Sequence, residues 1–369
     1  MRSVDRVMAS MRLEEPDRVP IGETDYDLRK VSEAIGVSFC NEASTDIHAR
    51  MCEVRRSVVT LSTFIENLDL DIVPVSASPS LWGRGGRGIK MIDSDTWVDE
   101  WGAKYRSRDG MNWYVGPGLK DIHGIAELEP PDPNAPGVMD GPKLLVERFK
   151  GRRALAGSIP GPKMPYLARG IDGYNIDLYR SPSLAKKFMD MATRYNVEIG
   201  KRLIEVGVDF IVMTGDVAYN RGPIVSVKHF REVFVPAIRE PARSFHKMGV
   251  PMVKHTDGFL DPILDDLINS GIDGLHSIEP LAGMDIGKVK AAYGDKICLW
   301  GNIDLSYTLS QGTEQEVAEE VKECIKAAAP GGGHILSSSN SYSSAARFEN
   351  FRWMVRTGRK YGEYAHISS

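Results

Sequence analysis

Cysteine is scarce in this chain, and its four residues are not spaced like metal ligands or like a disulfide framework. They stand at positions 40, 52, 298 and 324 of 369 residues, without a Cys-x-x-Cys pair. Such scattered thiols are typical of reduced, mostly structural cysteines. We therefore expect a cytoplasmic protein whose core does not depend on disulfides.

Neither charge sign is in excess, and long apolar runs are missing. Lys and Arg number 46 against 50 Asp and Glu, a net charge of −4, and the two signs are mixed along the chain. This balance argues against a nucleic-acid partner or an anionic membrane surface. No stretch approaches the roughly 18–20 apolar residues of a membrane span, and residues 1–20 carry too many charges for a secretion signal.

What the chain does contain is a regular alternation of short apolar runs with amphipathic helical stretches. Near the N-terminus Val4, Val7, Met8 and Met11 recur at helical spacing, which predicts a first helix that ends before Pro16. The alternation predicts parallel strands joined by right-handed crossovers. A total of about eight runs predicts an α/β fold of the (β/α)8 TIM-barrel type. The runs lie at 18–25, 71–78, 152–159, 209–216, 250–258, 274–280, 296–304 and 333–340.

One segment interrupts this rhythm. We interpret 83–150 as an insertion after the second strand of a single 1–369 domain, containing a hairpin and an irregular Gly/Pro-rich cover. The run Gly83–Gly88 formally fits G-x-G-x-x-G, but it does not open a helix and is read as a loop. Its two arginines, Arg84 and Arg87, offer an anion clamp as the alternative.

The predicted strands end in polar side chains. In a barrel of this kind, chemistry is located at the carboxyl ends of the strands. His255 and Asp257, two apart on an extended segment, point to the same side, which suits a pair of metal ligands or an acid/base pair. Glu279 follows the neighbouring strand and would lie within reach. Taken singly, such residues also cap helices or shape turns. The strand-end set comprises Glu23, Asp25, Ser76, Ser78, Ser158, Asp216, His255, Asp257, Glu279, Asn302, Asp304, Ser338, Ser339 and Asn340.

Several stretches resemble the uroporphyrinogen decarboxylase superfamily, and the similarity spans nearly the whole chain. They are RVMASMRLEEPDRVPI (6–21), the HTDG run (255–258) with the segment that leads to GNID (301–304), and GGGHILSSSN (331–340) followed by ENFRWMV (349–355). This resemblance implies a (β/α)8 barrel. It also implies one of two activities, porphyrinogen decarboxylation or corrinoid-linked methyl transfer.

The decarboxylase itself matches less well at its site. Its arginine-rich N-terminal signature is replaced by GETDYDLRK (22–30), which offers Arg29 after three acids. Asn340 stands at the place of the family's histidine near the last strand, and Asp216 falls near its serine. Tyr166 corresponds to its active-site tyrosine. A substrate with many carboxylates needs a basic cup, whereas the predicted cup is acidic.

The methyltransferase branch resembles the chain more closely. Members that methylate coenzyme M carry His-x-Cys after strand five and a further Cys after strand eight as zinc ligands. Here the first pair is His255 and Asp257, and the second position falls in Ser338–Asn340. Without a thiolate, activation of a soft thiol is disfavoured. The resemblance then implies an O-demethylase, which transfers a methyl group from a small methoxylated compound, an aromatic ether, to the Co(I) corrinoid of a partner protein.

This interpretation assigns roles to the strand-end residues. His255, Asp257 and Glu279 would assist departure of the ether oxygen, either as general acids or through a bound Zn²⁺ that they ligate. Trp82 and the aromatic residues of the insertion could cover an aromatic ring. The substrate would be bound by Glu23, Asp25, Tyr166, Asp216, Tyr219, Asn302 and Asn340.

Two other functions remain open at this stage. One is a decarboxylase that acts on a smaller acidic or tetrapyrrole substrate, and the other is a non-catalytic barrel that binds a corrinoid protein or a small molecule. Placing several carboxylates together at one end of the barrel costs free energy unless a bound cation or a proton offsets their repulsion. This cost favours a catalytic role. The family resemblance also favours a homodimer.

Overall fold

The computed structural model describes residues 1–38, 47–77, 90–108, 111–128 and 130–367. Its centre is a seven-stranded parallel sheet in the order β1-β6-β7-β10-β11-β12-β13. The strands, numbered along the chain, are β1 Ile72–Ser76, β2 Lys90–Met91, β3 Thr96–Val98, β4 Ala103–Arg108, β5 Met111–Pro117, β6 Ala154–Ile159, β7 Phe210–Met213, β8 Ala218–Tyr219, β9 Gly222–Pro223, β10 Met252–Thr256, β11 Gly274–Ser277, β12 Cys298–Trp300 and β13 His334–Ile335.

An eighth extended segment closes the sheet into a barrel. Ile21 forms a parallel bridge with Leu336, next to β13, and its carbonyl accepts a 2.8 Å hydrogen bond from the amide of Asp71, next to β1. The segment predicted as the first strand thus lies between the two edges of the sheet. The predicted (β/α)8 barrel is confirmed, with each of the eight apolar runs at a barrel position.

Helices follow the barrel strands, and their ends obey the sequence signals. The longest of them begins with Pro182 at its first position and ends at Gly207, whose φ is 119°. Thr313 and Glu316 form a capping box at the start of another. The α-helices are α1 Ser3–Met11, α2 Leu28–Ile35, α3 Ile47–Asn67, α4 Asp140–Phe149, α5 Met164–Arg169, α6 Ile171–Arg180, α7 Pro182–Val206, α8 Val227–His229, α9 Val235–His246, α10 Leu264–Ile268, α11 Ile286–Tyr293, α12 Glu314–Ala328, α13 Phe348–Tyr361 and α14 Tyr364–Ile367.

The inner face of the barrel is apolar at the end covered by α1 and polar towards the carboxyl ends of the strands. Phe210, Val253 and Trp300 pack together in its lower part, and α1 covers this end with the buried side chains of Val7 and Met11. The predicted N-terminal helix therefore closes the end of the barrel opposite the strand ends. Towards those ends the inward positions carry polar residues, and the chemistry is concentrated there.

The insertion after β1 contains β2–β5 as a four-stranded antiparallel sheet, which includes the predicted hairpin. It packs on α5, where the Tyr114 hydroxyl donates a 2.9 Å hydrogen bond to the carbonyl of Leu167. The last part of the predicted insertion, α4, is the barrel helix that precedes β6. Ser78, Trp82 and the Gly83–Gly88 run lie outside the described residues. Among the described helices, none is both long and apolar enough to cross a membrane.

Candidate active site at the barrel mouth

Three of the predicted strand-end residues converge at the mouth of the barrel. His255 ends β10 on the inner face, Asp257 follows it, and Asp216 lies in the loop after β7. One ligand atom from each residue lies within 4.8 Å of the other two. His255 Nε2 is 3.7 Å from Asp216 Oδ1, and its side chain is 13% exposed. The structure thus brings a nitrogen and two carboxylates together from two neighbouring strands.

The two carboxylate oxygens of Asp257 differ in their hydrogen bonding. Its Oδ2 accepts a hydrogen bond from the side-chain amide of Asn340, whereas its buried Oδ1 accepts none in the described part of the chain. Burial, with the charge of Asp216, raises the pKa of Asp257 to about 7. A buried carboxyl with an open oxygen is suited to take a proton or a cation near neutral pH.

The loop that carries Asp216 is held by buried side chains. The Tyr166 hydroxyl donates a 2.8 Å hydrogen bond to the carbonyl of Asp216. Lys254, fully buried on β10, donates to the carbonyls of Thr214 at 3.1 Å and Gly215 at 2.6 Å. Tyr166 therefore acts on the backbone of this loop, and the Asp216 side chain, 47% exposed, faces the mouth.

Glu279 is placed by a strained turn. The two residues before it, Ser277 and Ile278, have φ values of 97° and 53°, which cost about 1–3 kcal/mol each in residues other than glycine. Asn302 Nδ2 donates to the Ile278 carbonyl at 2.8 Å and so stabilises the turn. The Glu279 carboxylate then accepts a 2.8 Å hydrogen bond from the amide of Gly258. The buried Asn302 therefore stabilises the backbone turn that positions Glu279.

The two acids of the first strand differ in their surroundings. Glu23 is fully buried, and its oxygens accept hydrogen bonds from the amide of Ser338 at 2.9 Å and from its hydroxyl at 2.7 Å. Burial raises the pKa of Glu23 to about 7. Asp25 is exposed within the mouth and interacts electrostatically with Lys163. Glu23 therefore joins the first and last strands, and Asp25 is the acid open to a ligand.

Tyr219 stands at the rim. It is 54% exposed and lies in the short hairpin β8–β9 that follows Asp216. Gly258 packs directly against this hairpin: its φ is 97°, and a Cβ there would lie 2.6 Å from the Tyr219 amide nitrogen. Glycine is thus required where the loops after β7 and β10 meet.

A cavity of about 360 Å³ adjoins the mouth near Asp25 and Ser76. It extends between α3 and α4, where its walls are mainly apolar. Leu61 and Val58 line it from α3 and Leu145 lines it from α4. Its size suits a small ligand of one ring.

Three further residues of this region were not predicted. His276 lies beside His255 in the β10–β11 register, and their Nδ1 atoms are 2.7 Å apart. Lys163 interacts electrostatically with Asp25 and Asp216, and burial lowers its pKa. The third of these residues is Lys254, which is fully buried on β10. The available signal was a charged or polar residue within a barrel strand, since Lys254 follows Met252 and Val253 on β10 and His276 follows Leu275 on β11.

The cluster of Asp216, His255 and Asp257 fits a divalent metal ion. Burial and the charges of Lys254 and Lys163 lower the pKa of His255 to about 3, which leaves a neutral imidazole able to donate an electron pair. One imidazole nitrogen and two carboxylates form a ligand set that Zn²⁺ accepts. Glu279, which the sequence placed in the metal set, is not a member of this cluster of three, and one of its carboxylate oxygens accepts a hydrogen bond from the Gly258 amide.

Comparison with known proteins places this barrel in a family. A chain described as a methyltransferase from Methanosarcina mazei has the same fold, with a TM-score of 0.71 and 20% identity over 98% of this chain and 99% of that one. The methylcobamide:CoM methyltransferase MtaA of Methanosarcina barkeri is 24% identical over 231 residues, which are 61% of this chain and 64% of that protein's length.

A second kind of relative has a different activity in its name. The uroporphyrinogen decarboxylase of Azoarcus sp. (strain BH72) is 26% identical over 264 residues, which are 65% of this chain and 68% of that protein. Residues 96–361 match the uroporphyrinogen decarboxylase (URO-D) family. The predicted resemblance is therefore confirmed, and the chain belongs to the uroporphyrinogen decarboxylase family.

Proposed function

We propose that the protein is a corrinoid-dependent methyltransferase of the O-demethylase type. It would transfer a methyl group from a small methoxylated compound, an aromatic ether, to the corrinoid of a partner protein. The observation that carries this proposal is the cluster of Asp216, His255 and Asp257 at the barrel mouth. It is a hard nitrogen–oxygen set, suited to an oxygen leaving group rather than a thiol. The relative named as a methylcobamide:CoM methyltransferase supports a corrinoid as the partner in methyl transfer.

Asp216, His255 and Asp257 would hold Zn²⁺ at the mouth. The Asp257 Oδ1, which has no hydrogen-bond partner in the described part of the chain, would be one ligand atom. Bound there, the ion would act as a Lewis acid towards the ether oxygen. Asp216 thus replaces Glu279 in the ligand set expected from the sequence.

The protein's own groups would bind and orient the ether. In the transfer, the bond between the methyl carbon and the oxygen would break with its electron pair remaining on the oxygen, and the Co(I) corrinoid of the partner protein would supply the electron pair that accepts the methyl group. Asn340 would keep Asp257 oriented through the hydrogen bond to its Oδ2. Glu279, half-buried beside this cluster, would pass a proton from solvent to the departing oxygen.

The cavity at Asp25 would receive the aromatic ring of the donor. Its apolar walls on α3 and α4 provide contact area, and Asp25 and Ser76 provide polar contacts at the mouth. Among the described residues, the mouth carries Asp25, Asp216 and Asp257 close to Lys163. An acidic mouth of this kind repels a porphyrinogen with many carboxylates, which disfavours decarboxylation of such a substrate.

A methyl-transfer assay tests this proposal. The purified protein would be mixed with Zn²⁺, a Co(I) corrinoid and a panel of methoxylated aromatics, and the cobalt absorption spectrum would be followed for alkylation. We expect methylation of the corrinoid by the wild type and a loss of at least about 100-fold in His255→Gln, the scale of removing one essential group.

The control variant is His246→Gln. His246 is an exposed histidine paired with Asp273 at 2.7 Å near the end of α9, away from the mouth. It should keep wild-type transfer. If neither free cobalamin nor candidate corrinoid proteins are methylated from any donor, the proposal fails, and porphyrinogen decarboxylation is the next reaction to measure.

A further inference from the structure

We propose that His276 and Ser337 are positioning residues that fix the tautomer of His255. They would keep a proton on its Nδ1 and leave the electron pair of its Nε2 directed at Asp216 and Asp257. This inference rests on the metal-binding part of the proposed function. It concerns two residues that make no contact with the ligand themselves.

The three side chains form a buried series of contacts inside the barrel, from β10 through β11 to the segment after β13. His255 Nδ1 is 2.7 Å from His276 Nδ1, and His276 Nε2 is 3.2 Å from the Ser337 hydroxyl oxygen. His276 and Ser337 are both fully buried, and His276 packs edge-on against Trp300 with ring centroids 5.2 Å apart. Solvent therefore cannot supply an alternative partner to these nitrogens.

The direction of each hydrogen bond in this series follows from the last one, which joins Ser337 to the carbonyl of Ser338. The Ser337 hydroxyl donates its single proton to the carbonyl of Ser338 at 2.7 Å, so its oxygen must accept from His276. His276 is then protonated on Nε2, and because its hydrogen-bond partners in the described part of the chain are His255 and Ser337, with no carboxylate to pair with a second proton, its Nδ1 carries an electron pair. His255 must therefore donate from Nδ1, and its Nε2 carries an electron pair.

This tautomer is the opposite of what the nearby carboxylate would select. An unconstrained neutral imidazole 3.7 Å from Asp216 Oδ1 would place its proton on Nε2, facing the carboxylate. Here an electron pair faces two carboxylates, which is unfavourable until a cation lies between them. The buried hydrogen bonds through His276 and Ser337 thus leave His255 Nε2 ready to bind a metal ion before the ion is present.

Nitrogen NMR of the histidines tests this directly. Metal-free protein labelled with ¹⁵N-histidine gives two-bond ¹H–¹⁵N correlations that distinguish protonated from bare ring nitrogens, and the His255 signals are those lost in His255→Gln. We expect His255 protonated on Nδ1 in the wild type. His276→Leu removes the acceptor and should move the proton to Nε2. His276→Asn, whose amide oxygen still accepts from Nδ1, should leave it in place.

Zinc affinity gives a second readout by chelator competition. We expect His276→Leu to bind Zn²⁺ about 10–100-fold more weakly and His276→Asn to remain close to the wild type. Ser337→Ala, a smaller change that serves if His276→Leu does not fold, should also shift the His255 proton towards Nε2. A wild-type His255 protonated on Nε2, or variants that change neither tautomer nor affinity, would overturn the inference. Both readouts are independent of methyl transfer, so failure of the proposed activity leaves them interpretable.

Discussion

Two carboxyl groups at the strand ends have their pKa values raised to about 7, yet their surroundings differ. Both oxygens of Glu23 accept hydrogen bonds from Ser338, whereas Asp257 keeps one oxygen without a partner among the described residues. A satisfied buried acid holds structure together, and an unsatisfied one is available to a ligand. Hydrogen bonding thus separates two residues that sequence position alone treats alike.

Glu23 should make the stability of the protein depend on pH. Its pKa is raised from 4.5 to about 7, so the folded state binds the proton more tightly than the unfolded state. The resulting stabilisation is full below about pH 4.5 and is lost as the pH rises through 7. Glu23→Gln, neutral throughout, should therefore gain stability relative to the wild type between pH 6 and pH 8.5. Urea unfolding at both pH values measures this difference, and an unchanged difference would show that Glu23 is ionised in the folded protein.

At the scale of elements, the mouth is assembled from loops that touch one another. The loop after β10 contacts the hairpin after β7 at Gly258 and contacts the turn after β11 through the Gly258 amide and Glu279. Each strand end is therefore positioned by its neighbours. A substitution in one loop should displace residues that belong to another.

Gly258→Ala should damage the site through such a contact. The new Cβ would lie 2.6 Å from the Tyr219 amide nitrogen, at a φ of 97°. We expect a loss of at least about 1–3 kcal/mol in the free energy of unfolding, measured with urea. The control is Gly283→Ala, where φ is 88° but no atom lies within 4 Å of the new Cβ. Equal losses in the two variants would show that the positive φ, and not the contact with Tyr219, causes the loss of stability.

The first barrel strand depends on a buried carboxylate. Asp71, fully buried, accepts from the Ile21 amide at 2.8 Å and pairs with Arg6 at 2.7 Å and Arg18 at 2.9 Å. Asp71→Asn would leave the two guanidinium groups without this charge, which should cost about 3–5 kcal/mol of unfolding free energy. Asp69→Asn, at a side chain 56% exposed that pairs with Arg153 and Arg359, should cost about 0–1 kcal/mol. Equilibrium denaturation compares them, and similar costs would contradict a role for Asp71 in barrel closure.

For the whole molecule, the two ends of the barrel have separate tasks. α1 covers the apolar end with Val7 and Met11, and the polar end carries the candidate site. We propose that the chain unfolds as one domain, because the barrel core is shared by strands from its first part to its last.

Met11→Ala tests this arrangement. Met11 is 6% exposed and packs against the barrel interior, so its truncation should cost about 2–5 kcal/mol of unfolding free energy. Met248→Ala, at a side chain 40% exposed, should change it by less than about 0.5 kcal/mol. Fluorescence and far-UV circular dichroism should give one coincident transition in both variants. Separate transitions would argue for more than one folding unit.

The barrel was predictable because its signals are local and repeated. Apolar runs and helix caps such as Thr313 and Glu316 depend on residues a few positions apart, which a sequence displays directly. The position of the site followed from the same pattern, since chemistry lies where parallel strands end. The partners of each site residue depend on register and backbone shape, which no local pattern contains.

Local sequence patterns were enough to predict the parallel barrel, an amphipathic first helix, and the placing of His255, Asp257 and Asp216 at one mouth. The three-dimensional arrangement was needed to show that Asp216 lies beside His255, that Glu279 accepts a hydrogen bond from Gly258, and that Glu23 is fully buried. It also decided that His276 stands behind His255. The reason is physical: strand order follows from local periodicity, whereas hydrogen-bond partners are chosen by distances between residues far apart in the chain.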